Sequence, residues 1–171
     1  MNVKFRSFPV TLRPLRLNDL QNYYLIVRDP QIARLASFPR ANNLRQARRL
    51  LTDDLRSAEA WAIVLKRNRR MIGVISLYAT LASDSAPNLR CRELGYMLNR
   101  RFWHQGYMTN ALGILVKLLN RRGNVKKLLA DVNDNNIASR RVLEKNYFVN
   151  YRSVMDFKTN ETDLIYELKI K

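Results

Sequence analysis

The chain is poor in the residues that most often carry metal or redox chemistry. Cysteine occurs once, at Cys91, and histidine once, at His104. One cysteine allows neither an internal disulfide nor a cysteine-built zinc site, and a lone histidine has no second imidazole with which to share a metal. This usage fits a reducing compartment, and the N-terminus (MNVKFRSFPV) lacks the apolar stretch of a secretion signal, so a cytoplasmic location is expected. No apolar run approaches the ~20 residues that a spanning helix needs, so no membrane role is expected. There is no internal repeat and no low-complexity segment. Acids are scarce as well: 14 Asp and Glu stand against 31 Lys and Arg, of which 22 are Arg, giving a net charge of +17.

What is present reads as one folded domain. The length is 171 residues and the apolar share is 47%, too high for charge-driven disorder. The positive charge is spread along the chain and points to anionic partners.

The hydrophobic pattern changes period along the chain. Pro9 to Leu17 reads as a first strand. A helix follows from Asn18 as cap, with Asp19 in its first turn, to about Val27. Asp29-Pro30 starts another helix. Asn43 caps a third, with Leu44, Ala47, Leu50, Leu51 and Leu55 at helical spacing. Ala60 to Leu65 and Met71 to Tyr78 form a hairpin around the turn Lys66 to Arg70. Thr80 to Leu89 reads as a surface loop. Arg92 to Leu98 is the next strand, with Leu94, Tyr96 and Leu98 on one face and Glu93, Gly95 and Met97 on the other. A loop to Gly106 leads into a helix from Tyr107 to about Arg122, striped by Met108, Leu112, Leu115 and Leu119 and ended by Gly123. A strand at Lys127 to Val132, a helix at Asn136 to Lys145, and strands at Phe148 to Phe157 and Leu164 to Ile170 complete the order. The expected fold is mixed α/β (α+β), with one mostly antiparallel sheet of about seven strands flanked by helices.

Two segments carry chemistry. RFWHQGYMTNAL, Arg101 to Leu112, joins a strand to a helix through Gly106. The first N–H groups of a helix can hold an anion, Gly106 lets a ligand come close, and Thr109 adds a hydroxyl. An ordinary strand-to-helix turn would have the same look. VNDNNIASRRVLEKNYF, Val132 to Phe148, places Asn136 and Ser139 at a helix start. Asn136 offers both donor and acceptor to an amide-bearing ligand, and simple capping explains it equally well.

Together the two segments resemble the GCN5-related N-acetyltransferases (GNAT), and within them the RimJ/RimL-type ribosomal-protein acetyltransferases. FWHQGYMTNAL is similar to the acetyl-CoA signature Q/R-x-x-G-x-G/A. Asn136-x-x-Ser139, the Val-Leu-Glu-Lys run and Phe148 are similar to the downstream motif, and Glu93 to Leu98 (ELGYML) to the strand before the signature. Element order agrees from about Thr11 to Ile170, so the resemblance makes 1–171 one N-acetyltransferase domain. Trp103, His104, Met108, Asn110 and Tyr147 depart from the usual pattern, and Tyr147 is expected to narrow the thiol end of the site.

The resemblance implies acetyl-CoA as co-substrate and no metal. Its pyrophosphate would rest on Gln105, Gly106, Tyr107, Met108 and Thr109. Its pantetheine arm would pair with Tyr96, Met97 and Leu98, with Asn136 on the arm's amides and Ser139 beside the sulfur. A neutral amine would attack the thioester directly. Glu93 is the leading base, Ser139 or a nearby Tyr is a proton donor to the departing thiolate, and Glu93 and Ser139 are the expected catalytic residues. Tyr166 is a weaker candidate for lining the site. The implied acceptor is a protein N-terminal α-amine, of ribosomal-protein type. The alternatives are a small amine (polyamine or antibiotic) and a nucleic-acid-binding protein with a vestigial cofactor site. The charge argues against a polycationic acceptor unless the cleft is locally acidic, and the sequence displays no acidic cluster. Basic doublets such as Arg48-Arg49 and Lys126-Lys127 would suit a ribosome or rRNA contact. Oligomeric state, a dimer included, is left open.

Overall fold

A computed structural model describes residues 8–36, 38–81, 87–156 and 161–171. Seven strands form one sheet: β1 (Val10–Pro14), β2 (Ala58–Leu65), β3 (Met71–Leu81), β4 (Pro87–Leu98), β5 (Lys127–Asn133), β6 (Val149–Asp156) and β7 (Glu161–Lys169). The spatial order is β1-β2-β3-β4-β5-β7-β6, and only the central β4–β5 pair is parallel. The helices are α1 (Leu20–Val27), α2 (Pro30–Leu35), α3 (Leu44–Ser57), α4 (Tyr107–Arg122) and α5 (Ile137–Lys145). This is the expected mixed α/β sheet with flanking helices.

Each face of the sheet carries its own core. On one face, Met108, Ala111, Leu112, Leu115 and Leu119 of α4 and Leu143 of α5 pack on Trp61, Ile75, Leu94, Leu98, Leu128, Ala130 and Tyr166. The predicted α4 stripe is therefore the buried one. On the other face, Tyr23 and Ile26 of α1 and Ala47 and Leu51 of α3 pack on Ala62, Val64 and Val74. That second layer covers β2 to β4; the same face of β5 and β7 carries Asp131, Asn133, Asp163 and Glu167 beside Leu129 and Ile165.

Several boundaries differ from the sequence reading. β1 stops at Pro14. Asn18 does not cap α1: residues 17–19 form a 3-10 turn, where Asp19 accepts the Arg16 N–H at 3.0 Å and takes both Arg13 Nη atoms at 2.6 and 2.8 Å. The described ends of the expected Thr80 to Leu89 loop are strand: β3 runs to Leu81 and β4 begins at Pro87, and residues 82–86 lie outside the described ones. β2 begins at Ala58 and β7 at Glu161, each earlier than the pattern indicates. Phe157, the expected end of β6, falls outside the described residues. Asn43 and Asn136 do cap, accepting from Gln46 N at 2.9 Å and Ser139 N at 3.2 Å.

Candidate active site

The site begins where the sheet parts. β4 and β5 pair only at Cys91↔Lys127, Arg92↔Leu128 and Glu93↔Leu129. β4 then continues to Leu98 while still paired with β3, and β5 continues to Asn133 while still paired with β7. Beyond Glu93 the edge of β4 that faces β5 has no ladder partner. An extended amide-bearing chain can lie against such an edge as an added strand. Tyr96, Met97 and Leu98 fall on this stretch. The Leu98 side chain is buried against α4, while Met97 packs towards α1 and α3.

A hydroxyl pair lies on the α4–α5 side of the opening. The Tyr96 Oη lies 2.7 Å from Ser139 Oγ and 3.3 Å from the Ser139 carbonyl oxygen. Burial pushes the Tyr96 phenol well above its ordinary range, and the Ser139 hydrogen bond only partly opposes this. Tyr96 thus keeps its proton, and either hydroxyl of the pair can donate to the other. Asn136 caps α5, which commits its Oδ1 to the Ser139 N–H.

The loop after β4 is built for close approach. Asn99 Oδ1 accepts from Arg101 N at 3.1 Å and caps a 3-10 turn at Arg100–Phe102. Trp103 Nε1 donates to the Leu98 carbonyl at 2.7 Å, and Phe102 meets Tyr107 edge to face with centroids 6.0 Å apart. The Gln105 amide donates to the Arg101 carbonyl at 3.0 Å. His104 and Gly106 are both left-handed, at φ 58° and 76°. His104 therefore adopts the conformation that a glycine would suit, and histidine is among the residues that tolerate it. The first backbone bond of α4 is Asn110 N to Gly106 O at 3.0 Å. The N–H groups of Tyr107, Met108 and Thr109 precede it and project from the positive end of the helix. Met108 buries its side chain and offers only its backbone. This arrangement fits a pyrophosphate.

Tyr147 also has a positive φ, 66°, which accounts for the glycine usual in its place. Its side chain is 85% exposed and points to solvent, so it does not narrow the thiol end.

The opposite face of the opening carries several acids, interleaved with Lys127, Lys169 and Arg152. Glu93 is exposed there, and strand register puts Leu129, Asp131 and Asn133 of β5 and Glu167, Ile165 and Asp163 of β7 on the same face. Desolvation pushes the Asp131 carboxyl up, although solvent still reaches it, and the charges of Asp163 and Glu93 add to the rise. Lys127 pairs with Glu167 at 3.3 Å. Some of the scattered acids of the sequence thus meet at the parting of the strands. They are not gathered tightly: among the described residues no group of three His, Cys, Asp or Glu could hold a metal ion. Beside Glu93 stands its cross-strand partner Tyr78, whose ring lies over Gly95, where a Cβ would come within 3.1 Å of it. Asp54 of α3 accepts from Tyr78 Oη at 3.0 Å and from Tyr23 Oη at 2.7 Å. Burial raises the Asp54 carboxyl, against the pull of both tyrosine hydroxyls.

Of the expected site residues, the fold brings Tyr96, Asn136 and Ser139 together. It places Gln105 to Thr109 at the far end of the same β4 edge and sets Glu93 on the other face. Tyr166 is buried, donating to Glu144 Oε1 at 2.8 Å. Sequence reasoning did not say which tyrosine would meet Ser139, and it missed Asp131 and the Tyr23–Asp54–Tyr78 set. For Asp131 the one available signal was its polar place in the alternation Leu128, Ala130, Val132.

Solved structures share this fold at low identity. Over 96% of both chains it superposes on RimL, the ribosomal L7/L12 α-N-protein acetyltransferase in complex with coenzyme A, at a TM-score of 0.80 and 18% identity. Ribosomal-protein-S5-alanine acetyltransferase from Vibrio fischeri gives 0.75 and 15%, over 99% of this chain and 98% of that one. The aminoglycoside acetyltransferase AAC(6')-Ib with coenzyme A gives 0.72 and 20%, over 94% of both. No curated protein matches the sequence. The acetyltransferase (GNAT) domain model matches residues 10–149. With most of the chain matched and the parted sheet and helix-start loop in place, the chain belongs to the GNAT acetyltransferases and is an acetyl-CoA-dependent N-acetyltransferase.

Proposed function

We propose that this enzyme acetylates the N-terminal α-amine of a protein, of ribosomal-protein type. One observation carries the reading: a solvent-open face bearing Glu93 and Asp131 and a half-buried hydroxyl pair stand on opposite sides of the point where β4 and β5 part. Acetyl-CoA supplies the activated acetyl group when bound. The N–H groups of Gln105 to Thr109 hold its pyrophosphate, the edge of Tyr96 to Leu98 orients its arm, and the Asn136 NH₂ meets an arm carbonyl. Glu93, with Asp131 beside it, takes the proton of the incoming ammonium. An α-amine has a pKa of about 7.7–8.0, so part of it is already neutral near physiological pH and a modest base suffices. Ser139, hydrogen-bonded to the protonated Tyr96, delivers a proton to the departing sulfur.

The same face favours a second reading, a small polycationic amine. The carboxylates of that face weaken the charge objection to such acceptors, and AAC(6')-Ib, similar in fold, is an aminoglycoside acetyltransferase.

Coenzyme A release measured with free-N-terminus peptides, an aminoglycoside and spermine separates the two. Turnover is expected with peptides. Turnover with the small amines alone would overturn the proposal.

A further inference from the structure

Helix α3 carries a stripe that acetyl transfer does not use. Arg45, Arg48, Arg49 and Arg56 are exposed and, with Thr52 and Asp53, line an open trough of about 400 Å³. Their spacing places them on the side of α3 opposite the buried Ala47 and Leu51. Five ion pairs occur among the described residues, Arg13–Asp19, Arg100–Asp29, Arg122–Glu59, Lys127–Glu167 and Arg140–Asp134, and none involves these four arginines. Asp53 is the one acid in the trough. Their charge is therefore available to an outside partner.

We propose that the arginine stripe of α3 is a docking ridge for the phosphate backbone of structured RNA. The four guanidinium groups span about 16 Å of helix, at 1.5 Å per residue. A nucleic-acid duplex presents a charge per ~1.7 Å of its axis, so several phosphates face a stripe of that length. All four cations are arginines, whose planar forks bind phosphate oxygens in pairs. A protein partner would call for an aromatic or aliphatic anchor at the centre of the contact, and the stripe has none. The choice of RNA rests on the proposed acceptor, a protein carried on an RNA-rich particle. Docking there would hold the enzyme near its substrate while the face bearing Glu93 meets the amine.

The test is fluorescence anisotropy with a labelled RNA hairpin, titrated at several salt concentrations. The variants are R45Q/R48Q/R49Q on α3 and K66Q/R67Q/R70Q in the β2–β3 turn, each removing three charges. The α3 variant is expected to flatten the slope of log affinity against log salt by about 3, and the turn variant by less than 1. Acetyl-CoA binding by calorimetry should be unchanged in both, which verifies folding. Three results would each overturn the proposal: no hairpin binding by the wild type near 0.1 M salt, an equal slope change in the turn variant, or displacement of the hairpin by polyglutamate at equal charge. The measurement needs no acceptor, so its failure is distinct from failure of the α-amine reading.

Discussion

The two glycines that bracket α4 give a matched test of the phosphate loop. Gly106 has φ 76° and Gly123 φ 67°. A Cβ at Gly106 would have Asn110 Nδ2 at 3.8 Å as its nearest neighbour, and one at Gly123 would meet nothing within 4 Å. Neither alanine clashes, so each variant carries only the left-handed penalty of about 1–2 kcal/mol, offset by ~0.4–1 kcal/mol of lost unfolded-state entropy. A net cost of about 1 kcal/mol lowers the melting temperature of a chain this size by ~2–4 °C in both cases. Ligand binding should separate them. α4 is 16 residues long, so Gly123 lies about 24 Å from the loop. Gly106→Ala puts a methyl group where the pyrophosphate approaches, and overpacking of about 1–3 kcal/mol weakens acetyl-CoA binding ~5–150-fold. Gly106→Asp adds a carboxylate ~4 Å from a phosphate, about 4 kcal/mol at an effective dielectric near 20, close to a thousandfold. Calorimetric titration of the three variants, with thermal melts alongside, reads both quantities. Equal affinity in Gly106→Ala and Gly123→Ala would refute the placement of the phosphate at this loop.

Two further sets of variants probe the chemistry. Ser139→Ala should lower turnover at least tenfold with acetyl-CoA affinity near wild type, and Tyr96→Phe should do so more weakly; steady-state rates against calorimetric binding check both. Unchanged turnover in both removes the hydroxyl pair from the reaction. Glu93→Gln and Asp131→Asn should each slow the reaction and move the acidic limb of its pH profile. Asp131 carries a linked stability effect. Its folded pKa lies above the unfolded value of about 3.9, so the native state binds more protons and stability falls as pH rises through that window. Asp131→Asn should therefore melt higher than wild type at pH 7, with the difference vanishing below about pH 4. A lower melting point at pH 7 would contradict the assigned cause.

Local signals in the sequence were reliable where the structure is local. The α4 stripe, the alternation of Leu94, Tyr96 and Leu98, and the caps at Asn43 and Asn136 follow from side-chain period and short-range hydrogen bonding, and all are present. Errors arose where a distant partner decides. Pro87 to Cys91 looks like loop because it is polar and starts with proline, yet β3 holds it as strand through pairs such as Thr80↔Asn88 and Leu81↔Pro87. Asn18 is a good cap in isolation, but Asp19 prevails because Arg13, six residues back, binds it. The expected cofactor side rests on one loop and one helix start, so its elements could be read locally. The face bearing Glu93 could not, since Glu93, Asp131 and Asp163 meet only through the order β4-β5-β7, which no local pattern encodes. The Tyr96–Ser139 pair was half legible: both residues stood out, but their contact spans 43 positions.

Three residue pairs hold β4 to β5, whereas the strands on either side of that junction are joined over most of their length. The sheet is in effect two antiparallel blocks sharing a short hinge, each able to cooperate internally in folding. The amides at the hinge should exchange with deuterium ahead of those within either block. A bound co-substrate that pairs with the free edge of β4 would slow that exchange, so its presence would register as added cohesion of the protein itself. Saturating acetyl-CoA would then weld two half-sheets into one cooperative unit.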